Sequence, residues 1–207
     1  MATSSELQQL YVAYFGRPAD PAGLTYWVSS GITTKAFAAL MYDQPEFKSV
    51  NSGLSVEAQV NQIYLNLFGR NADSAGLLYW TQQINTGKLQ LASIANDLIY
   101  AVNNGSNPTD LAALTNKTNT AVAFTQSVTD TSGALLAYQP QSDGKDGRPW
   151  VSGTNFATAV SFMNTATATN APTTAQITAS VATIAANGAP GQTITLTTDR
   201  FSYFGGT

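Results

Sequence analysis

The chain is 207 residues long, has a net charge of −3, and contains no cysteine and no histidine. That excludes thiol nucleophiles, histidine general bases and nearly every zinc site, and it leaves only hard cations on oxygen ligands as metals. Charged residues are 10% of the chain while hydrophobic ones are 43%; a core is available, but no basic cluster offers a track for nucleic acid or an anionic membrane.

The first residues, MATSSELQQLYVAYFG, have no basic run and no unbroken apolar stretch. They read as an amphipathic helix and not as a secretory signal, so the expectation is a cytosolic protein or export without an N-terminal signal. No segment approaches the roughly 18 apolar residues of a membrane-spanning helix.

Leu7, Leu10, Tyr11, Tyr14 and Phe15 recur at helical spacing and predict a first helix ended by Gly16. Asp20 followed by Pro21 predicts an N-cap and a first helical residue. The second helix, about 21–30, is expected to bury Leu24, Trp27 and Val28. A third is expected from Thr33 or Thr34, with Phe37, Leu40 and Met41 inward, and a short piece Pro45–Val50 follows.

The plan then repeats. Residues 7–27, LQQLYVAYFGRPADPAGLTYW, align without a gap on residues 60–80, VNQIYLNLFGRNADSAGLLYW. Tyr11 falls on Tyr64, Gly16 on Gly69, Arg17 on Arg70, Asp20 on Asp73, and Tyr26–Trp27 on Tyr79–Trp80. In the second copy Val60, Ile63, Tyr64, Leu67 and Phe68 form the first helical face, Leu77, Trp80 and Ile84 the second, and Leu91, Ile94, Ala95, Leu98 and Val102 the third. Each unit of about 50 residues is too small to bury its faces alone, so two stacked units are expected.

Beyond Pro108, Leu111, Leu114, Ala121, Val122 and Val128 predict a helix to about residue 128. A loop YQPQSDGKDGRPW follows, then helices around Phe156, Val160 and Met163 and around Ile177, Val181 and Ile184. The alternation in GQTITLTT predicts a strand. The expected fold is therefore mainly α: a tandem helical repeat over 1–105 (units about 5–52 and 58–105), a further helical region over 106–188, and a short strand in 189–207 that opens a β-rich region.

The repeated residues have two readings. Gly16, Asp20, Trp27, Gly69, Asp73 and Trp80 suit a helix–loop–helix corner: a stop, a cap, a close approach and a tryptophan in the core. Arg17 and Arg70 can bridge to loop carbonyls. Binding is expected at exposed edges of the corner or in the groove between the two units, with Arg17, Tyr26, Arg70, Tyr79 and the later Trp150 as glycan candidates, because aromatic faces beside uncharged polar groups suit sugars. Asp143 and Asp146 flank Lys145 in a glycine turn; the preferred reading is a solvated turn, with calcium as the alternative, since a calcium loop needs more oxygen ligands. No catalytic constellation emerges and no enzyme is expected.

The phrase YxxxFGRxADxAGLxYW, with Pro45-Glu46-Phe47, resembles a small helical domain of unknown function in secreted bacterial RTX-type proteins, surface-layer proteins and adhesins. The second unit departs where Ala101-Val102-Asn103 replaces Pro-Glu-Phe. It is also distantly similar to helical linker repeats of cyanobacterial antenna complexes. The resemblance implies type I export, a cell-surface location, a downstream calcium-binding β-region, and a non-enzymatic module that anchors the protein to lipopolysaccharide or another surface glycan. The alternative is a protein–protein assembly module in a lattice or filament, and a less favoured one a glycan hydrolase.

Overall fold

A computed structural model describes residues 1–105, 107–143 and 149–188. The first unit comprises α1 (Ser4–Phe15), α2 (Pro21–Ser29), α3 (Thr34–Asp43) and α4 (Pro45–Asn51). The second comprises α5 (Val56–Phe68), α6 (Ser74–Asn85) and a 3-10 turn, Leu91–Ser93, that leads into α7 (Ile94–Asn103). Then come α8 (Pro108–Asp130), α9 (Ala134–Ala137), α10 (Gly153–Met163) and α11 (Thr174–Asn187). The fold is mainly α, as expected. Between α9 and α10 a two-residue antiparallel pair, β1 (Ser142–Asp143) and β2 (Trp150–Val151), lies within the stretch read as a loop. The predicted strand over 189–207 lies outside the described residues.

The local signals act as their chemistry dictates. Gly16 and Gly69 end α1 and α5 in the left-handed conformation, at φ 66° and 69°, which costs a glycine no Cβ clash. Asp20 and Asp73 cap α2 and α6 by accepting the backbone N–H of Gly23 and Gly76 at 2.7 and 2.8 Å. Thr3 forms a capping box with Glu6, and Thr173 forms one with Gln176.

Helix α1 is the centre of the molecule. Leu7, Leu10, Val12, Ala13 and Tyr14 are all buried, and so is Gln8. One side meets α3, α5 and the 3-10 turn, where the Tyr14 hydroxyl donates to the Ala92 carbonyl at 2.8 Å. The first helices of the two units pack on each other, with Asn66 Nδ2 donating to the Ala13 carbonyl at 2.9 Å. The opposite side of α1 meets α8, where Val12, Ala121 and Met163 form a small apolar contact and Gln8 Nε2 donates to the Thr125 hydroxyl at 2.7 Å.

Helix α8 serves two cores. Ala113 and Leu114 complete the core of the repeat, and Phe124 and Val128 belong to a second cluster with Tyr138, Phe156, Ile177, Val181 and Ile184. Its buried stripe runs Asp110, Ala113, Leu114, Lys117, Thr118, Ala121, Phe124, Thr125 and Val128, a 3.6-residue period that includes a lysine and threonines. Leu111 and Val122, expected inward, lie off that stripe and are exposed. Leu40 and Val28 are likewise exposed: α3 turns Phe37, Ala38 and Met41 inward, and the face of α2 is narrow enough to hold only Leu24 and Trp27 against the core.

Candidate functional site: an aromatic cleft at the first corner

Each repeat corner is built from the same interactions. The Arg17 guanidinium donates to both oxygens of Glu46, at 2.6 Å each, and to the carbonyl of Pro18 at 3.0 Å. Arg70 donates to both oxygens of Asp110, at 2.8 and 2.6 Å, and to the carbonyl of Asn71 at 2.9 Å. The bridge to the loop carbonyl was legible in the sequence; the carboxylates were not. Glu46 stands in the first turn of α4 and Asp110 in the first turn of α8, so the missing Pro-Glu-Phe of the second unit is replaced by Pro108-Thr109-Asp110. A carboxylate at a helix N-terminus is stabilised by the free N–H groups there and gives Arg a planar, two-pronged partner.

One further bond repeats. Ala19 N–H donates to Gln8 Oε1 and Ala72 N–H to Asn61 Oδ1, both at 2.9 Å, tying each loop to its preceding helix. Trp80 Nε1 donates to the Tyr64 hydroxyl at 2.9 Å. The second glycine of the motif has a steric cause: a Cβ on Gly23 would meet Asp20 Oδ2 at 2.8 Å and the Tyr11 hydroxyl at 3.1 Å.

The two corners differ in what covers them. At the first, the Phe156 ring of α10 lies on the guanidinium, 3.7 Å from Arg17 Cζ to the ring centre, and the Tyr138 hydroxyl donates to the Pro18 carbonyl at 2.8 Å. Arg17 is buried, with burial pulling its pKa down and the Glu46 charge more than offsetting that, so it stays firmly charged. This corrects the expectation of an exposed Arg17. At the second corner Arg70 keeps about a third of its side chain in solvent, 34%, and among the described residues no atom beyond its chain neighbours lies within 4 Å of a Cβ placed on Gly69.

Covering the first corner leaves a cleft of about 370 Å³ between the first unit and the loop before α10. Tyr26 and Trp27, edge to face at 4.9 Å between ring centres, form one side. Trp150, stacked near-parallel to Phe156 at 6.4 Å, forms the other. Polar groups come from Asp20, Gln44, Glu46 and Gln139. Tyr26 is 55% exposed, so its ring remains free to contact a ligand.

Of the residues singled out from the sequence, Arg17, Tyr26 and Trp150 converge on this cleft, with Asp20 and Trp27 beside them. Arg70 and Tyr79 do not; they belong to the second corner, where Tyr79 is 53% exposed. Trp27 and Trp80 are not core residues: both are half-buried and pack against its margin. Asp143 pairs its backbone with Trp150, and Asp146 lies outside the described residues. Among the described residues no three acidic side chains gather as a metal site. Sequence reasoning missed Gln44, Gln139 and Phe156 as neighbours, since they come from separate elements; only the doubled Arg hinted at a carboxylate to find.

Residues 38–99, from α3 to α7, match the family described as a domain of unknown function, DUF4214. The first copy of the motif lies before that segment and the second lies within it. No curated protein matches the chain, and no solved structure does.

Proposed function

We propose that the protein is a non-enzymatic anchoring module that holds a secreted surface-layer or RTX-like protein to the cell surface by binding lipopolysaccharide or another surface glycan in the cleft at the first corner. One observation carries the reading: Tyr26 and Trp27 from one part of the chain and Trp150 from another line a single cleft, together with the uncharged amides of Gln44 and Gln139. Aromatic faces receive the apolar face of a sugar ring, and amides and carboxylates take its hydroxyls. Among the described residues no helix is long and apolar enough to cross a membrane. The test is pull-down on cells with and without their surface polysaccharide. Wild-type protein is expected on intact cells only, and Tyr26→Ala combined with Trp150→Ala should abolish retention; equal retention of that variant sinks the reading.

A second reading, assembly with other protein in a lattice, is favoured by the second corner, where Leu78 and Tyr79 of α6 are exposed among the described residues. Sedimentation of wild type against Leu78→Ser/Tyr79→Ser separates the two, since only the assembly reading makes those residues drive self-association.

A further inference from the structure

The tryptophan wall of the cleft is held from behind, by a chain of faces that begins at the repeated arginine. Arg17 is buried, and its guanidinium is fixed in plane by both Glu46 oxygens. The Phe156 ring lies on that plane, with its centre 3.7 Å from Cζ. A guanidinium offers an aromatic ring a flat, charged face on which to stack. Tyr138 meets Phe156 edge to face, at 5.0 Å between ring centres, and its own hydroxyl is tied to the Pro18 carbonyl. Phe156 is thus held on two sides and is only 3% exposed. Trp150 stacks over it, 6.4 Å between ring centres and 25° from parallel, within the range of offset stacking. The backbone of Trp150 is fixed separately, by its antiparallel pairing with Asp143.

We infer that Phe156 is the positioning residue of the cleft: seated on the Arg17–Glu46 pair, it sets the plane of the Trp150 ring before a ligand arrives. This step rests on the glycan reading, in which Trp150 takes the apolar face of a sugar. Backbone pairing places the Cβ of Trp150 but leaves its side-chain torsions free. The Phe156 face restricts them in the folded protein. A ring ordered beforehand has less freedom to lose on binding, and the cost avoided is worth about a twofold to tenfold gain in affinity. The motif arginine therefore serves the cleft through Phe156, independently of where its remaining N–H groups point.

Two measurements on the full chain test it. With Trp27→Phe and Trp80→Phe in place, Trp150 is the one tryptophan left of three, and its fluorescence anisotropy decay reports ring motion without any ligand. With Phe156 present the decay is expected to follow the tumbling of the whole protein. Phe156→Leu keeps an apolar side chain but loses the flat face, and should add a fast component of large amplitude. Fast motion with Phe156 present, or an unchanged decay in Phe156→Leu, overturns the inference. The second measurement is a titrated pull-down on cells carrying surface polysaccharide. Phe156→Leu should weaken retention about twofold to tenfold, but should change nothing further in a Trp150→Ala background, which keeps Tyr26. An equal loss in both backgrounds means that Phe156 acts on the fold alone, and overturns the inference. Absence of wild-type retention removes the glycan reading, while the anisotropy decay still decides whether Phe156 orders the ring. If Phe156→Leu does not fold, Phe156→Met, whose flexible side chain fills the same space, takes its place in both measurements.

Discussion

At Arg17 the guanidinium and the Glu46 carboxylate are both largely out of water, at 5% and 15% of their side-chain area; at Arg70 the guanidinium is 34% exposed. Removing one partner of a buried pair strands the other, at a cost of about 3–5 kcal/mol, while an exposed pair is worth no more than about 1 kcal/mol. Glu46→Gln is therefore expected to destabilise the protein severely. Arg70→Met should cost less: Asp110 is itself buried, at 7% of its side-chain area, but it keeps the Asn107 amide and the N-terminus of α8 as partners, and urea denaturation of the two variants checks the contrast. Equal losses would mean that the Phe156 cover contributes nothing to the first pair. The glycines argue in the same way. Alanine is favoured over glycine in a helix by about 1 kcal/mol, but at Gly23 the new Cβ would lie 2.8 Å from Asp20 Oδ2, against 3.3 Å from the nearest atom at Gly76. Gly23→Ala should lower the melting temperature and Gly76→Ala leave it nearly unchanged. Both glycines were legible in the repeat; the different tolerance was not, because it depends on how closely a hydroxyl and a carboxylate approach each one.

At the scale of an element, α8 carries a conflict between its stripe and its chemistry. Lys117 sits on the buried face, 2% exposed, and its ammonium donates to the Met163 carbonyl at 3.3 Å, at the C-terminal end of α10. The negative end of a helix dipole favours a cation there, but burial dominates and pulls the Lys117 pKa down to about 8 from 10.5. The sign of the pH effect follows. Between pH 8 and 10.5 the folded lysine is neutral while the unfolded one still holds its proton, so stability rises with pH across that window. Below pH 8 the folded state carries the full penalty of a buried charge. Above pH 10 the trend reverses, because burial raises the pKa of Tyr11, Tyr14 and Tyr138 and the unfolded chain loses those protons first. Chemical denaturation across this range should show a stability maximum between about pH 8 and 10. Lys117→Met should raise stability at neutral pH by about 3 kcal/mol and flatten the rise. No hydrophobic pattern announces a lysine on the buried stripe; its period shows only once the helix lies against α1 and α10.

For the whole molecule, the boundary between the repeat and the region after it is crossed by an ion pair and by the core itself. The carboxylate for Arg70 is Asp110, beyond the second unit, and Ala113 and Leu114 complete the repeat's core. The far side of α1 is closed by Thr125 and Ala121. A fragment of residues 1–105 would expose that side of α1 and leave Arg70 unpaired. It is expected to melt without a cooperative transition, whereas the full chain melts as one unit; circular dichroism of both settles it. A sharp transition in the fragment would show that two stacked units suffice. The candidate cleft belongs to this scale as well, since Trp150 and Phe156 reach the first corner only through the fold of α8 to α10.

The sequence alone determined the helices, their glycine stops and aspartate caps, the doubled corner and the mainly α class. These rest on backbone conformations and on bonds within a few residues, which short segments fix by themselves. Tertiary structure alone decided which carboxylate each arginine takes, which faces of α3 and α8 turn inward, and that the first corner is covered while the second stays open. Partners 29 and 40 residues from their arginines are chosen by packing, and packing is a property of the assembled faces. The two corners share one motif, but only the first has Trp150 and Phe156 against it, and that difference makes a cleft out of a turn.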